Sequence, residues 1–147
     1  MAYSTRENPG SANPAPKYAE VRTTAEINGF INRVITELGQ AGFCERDRFA
    51  VRLALAEAII NAIKHGNRED PAKLVRVSYS INSGEIVTEI EDQGPGFNPN
   101  KVPSPIAPEN LERPGGRGVF LMRHYMTLVQ YNERGNGVLL TKTRQGP

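Results

Sequence analysis

Between Gly94 and Gly116 the chain carries six prolines, Pro95, Pro99, Pro103, Pro105, Pro108 and Pro114, and few large apolar residues. Proline fixes φ and has no N–H to donate, so neither a helix interior nor a central strand can run through this stretch. The fold must therefore be assembled from the segments on either side, which have to meet across a long irregular connection. Inside a compact domain such a connection is more often a functional loop than a plain linker.

The segments themselves are strongly periodic. "KYAEVR" alternates as a short strand. In "TTAEINGFINRVITELGQAG", Ile27, Phe30, Ile31, Val34, Ile35 and Leu38 fall on one helical stripe. Thr23 and Glu26 have capping-box spacing there, and Gly39 or Gly42 supplies a stop. A second helix is expected from about Asp47 through Lys64. "KLVRVSYSI" and "EIVTEIED", joined by "NSG", read as an antiparallel strand pair with one buried face. After the proline-rich stretch, "GRGVFLMRHYM" restarts a helical pattern, and "TLVQYNERGNGVLLTKTR" reads as a hairpin turned at "ERGNG". Grouped helices with hairpins predict an α+β two-layer sandwich, helices on one face of a mainly antiparallel sheet. Residues 1–16, with Pro9, Pro14 and Pro16 and little apolar content, read as a flexible tail ahead of one domain over 17–147.

Composition narrows the chemistry. Against 18 basic residues stand 16 acidic ones, a net charge of +2 with no dense basic stripe, which argues against a nucleic-acid partner. Cys44 is the single cysteine, so no intrachain disulfide and no cysteine zinc cluster can form. The N-terminus lacks an apolar signal-peptide core, and no run approaches the ~18 apolar residues of a membrane span. A cytoplasmic protein without a membrane partner is the expectation.

Three stretches carry polar groups that a packing role does not require. "LALAEAIINAIKHGN" is apolar enough for a buried helix, yet Glu57 and Asn61 lie one turn apart on one face, and Lys64 follows three residues later. A carboxylate and a carboxamide so placed can share a hard cation with phosphate oxygens, can offer a general base, or can be an ordinary surface pair. "EIEDQGPGF" ends a strand at Asp92, an acceptor suited to an exocyclic amine. Its Gly94 and Gly96 let backbone approach a flat ring closely. "PGGRGVFLMR" puts Gly115, Gly116 and Gly118 directly before a helix, where free N–H groups bind anions, with Arg117 among them; it also suits a plain hinge. His65 suits the end of its helix, near the C-terminal carbonyls, and His124 lacks the context of a phosphoaccepting histidine.

Taken in order, these three stretches resemble the ATP-binding domain of the GHKL superfamily. "EAIINAIKHGN", "DQGPGF" and "GGRGVFLMR" are most similar to the anti-sigma-factor serine kinases of bacterial partner-switching systems, over roughly residues 18 to 144. The resemblance implies ATP and Mg²⁺ as cofactors. It implies Glu57 as general base, Asn61 as magnesium ligand, and Asp92 as acceptor of the adenine amino group beside a wall of Gly94 and Gly96. It further implies Gly116, Gly118 and the start of the helix at Val119 as phosphate-binding backbone. Lys64 and Arg117 become phosphate contacts, and about 97–115 becomes an ATP lid. The implied partners are a STAS-type anti-anti-sigma protein, phosphorylated on Ser or Thr, and a sigma factor or equivalent regulator, with a homodimer as the family expectation. The chain departs from the pattern at Val138, where family members carry Thr supporting adenine. Two readings compete with the kinase: an ATP-dependent binding switch with the same pocket, and a nucleotide-independent scaffold.

Overall fold

The computed structural model describes residues 14–94 and 116–145. The expected tail before residue 14, the lid over 97–115 and Gly96 lie outside the described residues. The elements are β1 (Lys17–Val21), α1 (Ile27–Gln40), α2 (Glu45–Asn61), β2 (Val75–Ile81), β3 (Glu85–Glu91), α3 (Gly116–Tyr125), β4 (Leu128–Tyr131) and β5 (Gly137–Thr143). The strands form one sheet in the order β1-β2-β3-β5-β4, every neighbouring pair antiparallel. The α+β sandwich expected from the periodicity is the observed architecture.

Alternation along the strands sorts the side chains by face. Val75, Val77 and Tyr79 of β2, Ile86, Thr88 and Ile90 of β3, and Val138 and Leu140 of β5 form the covered face. Onto it pack Phe30, Ile31, Val34 and Leu38 of α1, Val51, Leu55 and Ile59 of α2, and Val119 and Met122 of α3. Phe30 meets Tyr79 edge-on, with ring centroids 5.7 Å apart, and the Tyr79 hydroxyl donates to the Glu37 carboxylate, which also pairs with Lys17. Burying a phenol this deeply requires a partner for its hydroxyl, and Glu37 supplies one while fastening β1 to α1.

The helix ends follow from local chemistry. Glu26 accepts hydrogen bonds from the Thr23 N–H and hydroxyl, both at 3.1 Å, at a short 3₁₀ turn that leads into α1. At the other end Gly42, with φ of +91°, donates to Gly39 O at 3.1 Å, and the Phe43 N–H donates to Leu38 O at 3.0 Å. That pair of bonds is a Schellman stop, so Gly42 rather than Gly39 ends the helix.

The second helix departs from expectation at both ends. It starts at Glu45 rather than near Asp47, because Cys44 occupies the cap without a side-chain hydrogen bond and gives no sequence signal. Asp47 is 1% exposed; its Oδ2 accepts the Gln145 N–H at 2.9 Å, tying the end of the described chain to α2. The α-helix also stops at Asn61 rather than Lys64, and Ala62–Gly66 follow as a π-helical turn, with the Asn67 N–H donating to Ala62 O at 2.8 Å. Such wider turns occur mostly as single insertions in α-helices and are frequent at functional sites.

Candidate functional site

Asp92 continues the alternation of β3 one residue beyond its end, on the face of Ile90 and Thr88, and is 8% exposed. Its backbone is pinned by the closing hairpin: the Asp92 N–H donates to Asn136 O at 2.8 Å, and Asn136 Nδ2 donates to Asp92 O at 3.4 Å. Its carboxylate is turned back on the chain, with Oδ1 accepting the Gly94 N–H at 2.8 Å. Oδ2 is left as the oxygen that can receive a ligand's donor. Burial is the largest influence on this carboxyl and raises its pKa to about 6; the Gly94 hydrogen bond and Lys73 oppose the rise, and Glu91 adds to it.

The residues after α2 close over this corner. Gly66 is packed so tightly that a Cβ there would lie 2.2 Å from Asp92 Oδ2, and one on Gly94 would lie 1.8 Å from Gly66 O. Asn67, 3% exposed, accepts the Gln93 N–H at 2.7 Å through Oδ1 and donates from Nδ2 to Leu74 O at 3.1 Å. The Gln93 side chain in turn accepts the Leu74 N–H at 2.9 Å. These bonds hold the segment after α2 against the end of β3. Sequence reasoning missed Gly66, Asn67, Gln93 and Asn136. Gly66 and Asn67 stand in "KHGN", just past the expected end of the helix at Lys64, and only the tertiary approach reveals the fit.

Val138 lies opposite Ile90 in the ladder and is buried, so it faces the same corner without a hydroxyl. Its other cross-strand neighbour is Tyr131, whose phenol burial pushes well above its ordinary range, with Arg123 opposing and the Asp92 charge adding.

The second cluster is at the far end of α2. Glu57 and Asn61 are both half-buried, one helical turn apart, and Asn61 is the last α-helical residue. Asn61 Nδ2 is buried without a hydrogen-bond partner. An unpaired amide donor of this kind costs about 1–3 kcal/mol, which an added polar group would remove. Lys64 is exposed on the π-helical turn, beyond the α-helical line of Glu57 and Asn61.

α3 packs along α2, and Phe49 in the first part of α2 meets Tyr125 at the end of α3, ring centroids 6.3 Å apart. The two helices therefore run in opposed directions, which sends the Glu57–Asn61 end of α2 towards the Gly116 end of α3. Gly116 opens α3, so the first-turn N–H groups of Gly116, Arg117 and Gly118 have no partner within the helix, whereas that of Val119, expected among the anion donors, stands where the first intrahelical bond forms. Val119 is 2% exposed and anchors that turn in the core, while the Arg117 side chain lies outside the described atoms.

The fold thus presents a buried carboxylate, Asp92, able to accept from an amine, and a separate group made of a carboxylate, a carboxamide and a helix N-terminus suited to anions. Oxygen donors such as Glu57 and the Asn61 carboxamide suit a hard cation. Among the described residues no cluster of three or more His, Cys, Asp or Glu could hold a metal ion. A magnesium ion here would accordingly depend on phosphate oxygens for much of its shell.

Comparison with known proteins gives the family. Residues 19–142 match the family described as the histidine kinase-like ATPase domain. The serine-protein kinase RsbW of Staphylococcus aureus is 32% identical over 131 residues, covering 83% of this chain and 82% of that protein. The serine/threonine-protein kinase BtrW of Bordetella bronchiseptica is 30% identical over 100 residues, covering 67% of this chain and 70% of that protein.

Proposed function

Because this chain belongs to the histidine kinase-like ATPase domain family, we propose that it is an ATP- and Mg²⁺-dependent serine/threonine-protein kinase of the anti-sigma-factor type. Its protein substrate is a STAS-type anti-anti-sigma partner, and its ATP-bound form sequesters a sigma factor or an equivalent regulator. It works as a cytoplasmic homodimer; among the described residues no helix is long and apolar enough to cross a membrane.

The observation that carries this reading is the unpaired, buried amide of Asn61 one turn from Glu57, on a helix whose end runs towards the Gly-rich start of α3. In this mechanism Asp92 accepts the exocyclic amine of adenine, and the first-turn N–H groups of α3 hold phosphate oxygens. The substrate hydroxyl oxygen attacks the γ-phosphorus while Glu57 takes the hydroxyl proton. The bond from the γ-phosphorus to the β–γ bridging oxygen breaks, and its electron pair leaves with ADP. Asn61 would hold a magnesium ion, which would supply charge neutralisation at the phosphates.

The test is transfer from γ-labelled ATP to a STAS-type protein with Mg²⁺ present. The expected result is acid-stable label on Ser or Thr, lost in Glu57→Ala while ATP binding persists. Binding without transfer to the wild type's cognate partner would leave the ATP-dependent switch instead. Transfer that survives Glu57→Ala would remove Glu57 as the base.

A further inference from the structure

Gly66 stands in the stretch "EAIINAIKHGN" without an assigned role there, yet a Cβ on it would meet the Asp92 carboxylate more closely than any other group. Among the described glycines only Gly42 and Gly135 have positive φ, so Gly66 is not required for a left-handed backbone. Its requirement is space. A Cβ at this position would stand 2.2 Å from Asp92 Oδ2, 2.3 Å from Cγ and 2.7 Å from Oδ1, so the entire carboxylate lies against the bare Cα. The obstruction on the other side is backbone: the Gly66 carbonyl is itself the wall against Gly94, where a Cβ would come within 1.8 Å of it. Gly66 cannot retreat without opening the turn at Gly94, whose N–H holds Asp92 Oδ1 at 2.8 Å.

The backbone that delivers Gly66 is equally specific. The π-helical turn Ala62–Gly66 carries the chain directly from Asn61 to Asp92, and Asn67 then locks it by accepting the Gln93 N–H. An added methyl has three ways out: rotating the Asp92 carboxylate, lifting Gly94, or unwinding the π turn. Each moves the acceptor oxygen away from where an adenine amine would meet it.

We propose that Gly66 is the positioning residue for adenine selectivity, its bare Cα and the Gly94 turn together holding the Asp92 carboxylate in the one orientation that leaves Oδ2 for the base. This rests on the ATP-binding reading above and gives it a specificity determinant at a position to which the resemblance assigned no role.

The experiment is a double-mutant cycle between Gly66→Ala and Asp92→Ala, read by calorimetric titration with ATP and GTP and by thermal unfolding. In the otherwise native chain, Gly66→Ala should weaken ATP binding by about tenfold or more, the scale of one hydrogen bond to a charged group. It should also narrow the preference for ATP over GTP. With the carboxylate removed by Asp92→Ala, Gly66→Ala should cause no further loss of affinity, and its penalty in Tm should shrink because the colliding atoms are gone. A carboxylate pushed out towards water should also recover a more ordinary pKa, lowering the pH at which ATP binding fails. Native affinity and selectivity in Gly66→Ala would overturn the proposal, as would equal losses in both backgrounds. Should Gly66→Ala alone fail to fold, recovery of folding in the double variant supports the proposal and continued failure overturns it. Absence of ATP binding by the wild-type chain would instead refute the ATP reading, while the Tm cycle would still report on the packing of Gly66 against Asp92.

Discussion

Lowering the pH from 7 to 5 should weaken adenine-nucleotide binding while leaving the fold intact, and the Asp92 carboxyl sets the size of the effect. An exocyclic amine donates to the ionised carboxylate, and burial raises the Asp92 pKa to about 6. One unit below that value about a tenth of the molecules hold the ionised form. Affinity should therefore fall roughly tenfold, about 1.4 kcal/mol, between pH 7 and pH 5. Stability moves in the opposite direction. The folded-state pKa lies above the ordinary carboxylate value near 4, so the Asp92 contribution to stability is fully present below about pH 4 and is lost as pH rises through about 6. Acid thus disfavours the ligand at this residue without disfavouring the fold, and the two effects separate. Calorimetric titration with ATP at pH 7, 6 and 5 measures the first, and adenosine removes the titration of the phosphates. Asp92→Asn, with no proton to gain, should be weaker at all three values and flat between them. Equal affinity of the wild type at pH 5 and 7, or the same loss in Asp92→Asn, would refute the assignment of Asp92 as the amine acceptor.

Two further outcomes test the scaffold. Gly42→Ala forces a side chain onto a φ of +91° and brings its Cβ to 3.3 Å from the Arg144 guanidinium, so a loss of roughly 1–2 kcal/mol and a Tm lower by several degrees are expected. Leu55→Ala removes a fully buried side chain of α2 and should cost about 2–5 kcal/mol in denaturant unfolding; a loss under 1 kcal/mol would contradict the packing described for that helix.

What the residues disclosed in advance followed from period and local chemistry. The stripe from Ile27 to Leu38 and the Thr23–Glu26 spacing specified α1, because helical period and capping depend only on near neighbours. The strand pair turned at Asn82–Gly84 was equally legible, since Asn82 Oδ1 accepts the Gly84 and Glu85 N–H groups within the turn itself. The start of α2 was not, because Cys44 caps without a side-chain bond and the acidic Asp47 imitates a helix start while bonding to Gln145. Nor was the π turn, because a single wider turn has no repeat to reveal it. The family motifs marked Asp92 and Asn61 as chemical groups. The fit of Gly66 on Asp92 depends on two segments 26 positions apart in the chain meeting at van der Waals distance, which no local pattern encodes.

The two ends of the proline-rich connection have a consequence for what its length can change. Gly94 is fixed against the Gly66 carbonyl, and Gly116 opens a helix anchored in the core by Val119 and Met122. The closure cost of what lies between grows only logarithmically, about 0.6 kcal/mol for each doubling of length. By chain closure alone a change of length there costs little, whereas a single methyl at either glycine of the Gly66–Gly94 contact meets atoms 2.2 Å away or closer. The corner where Gly66, Asp92 and Gly94 meet is thus held by contact distances rather than by the length of the chain that follows it.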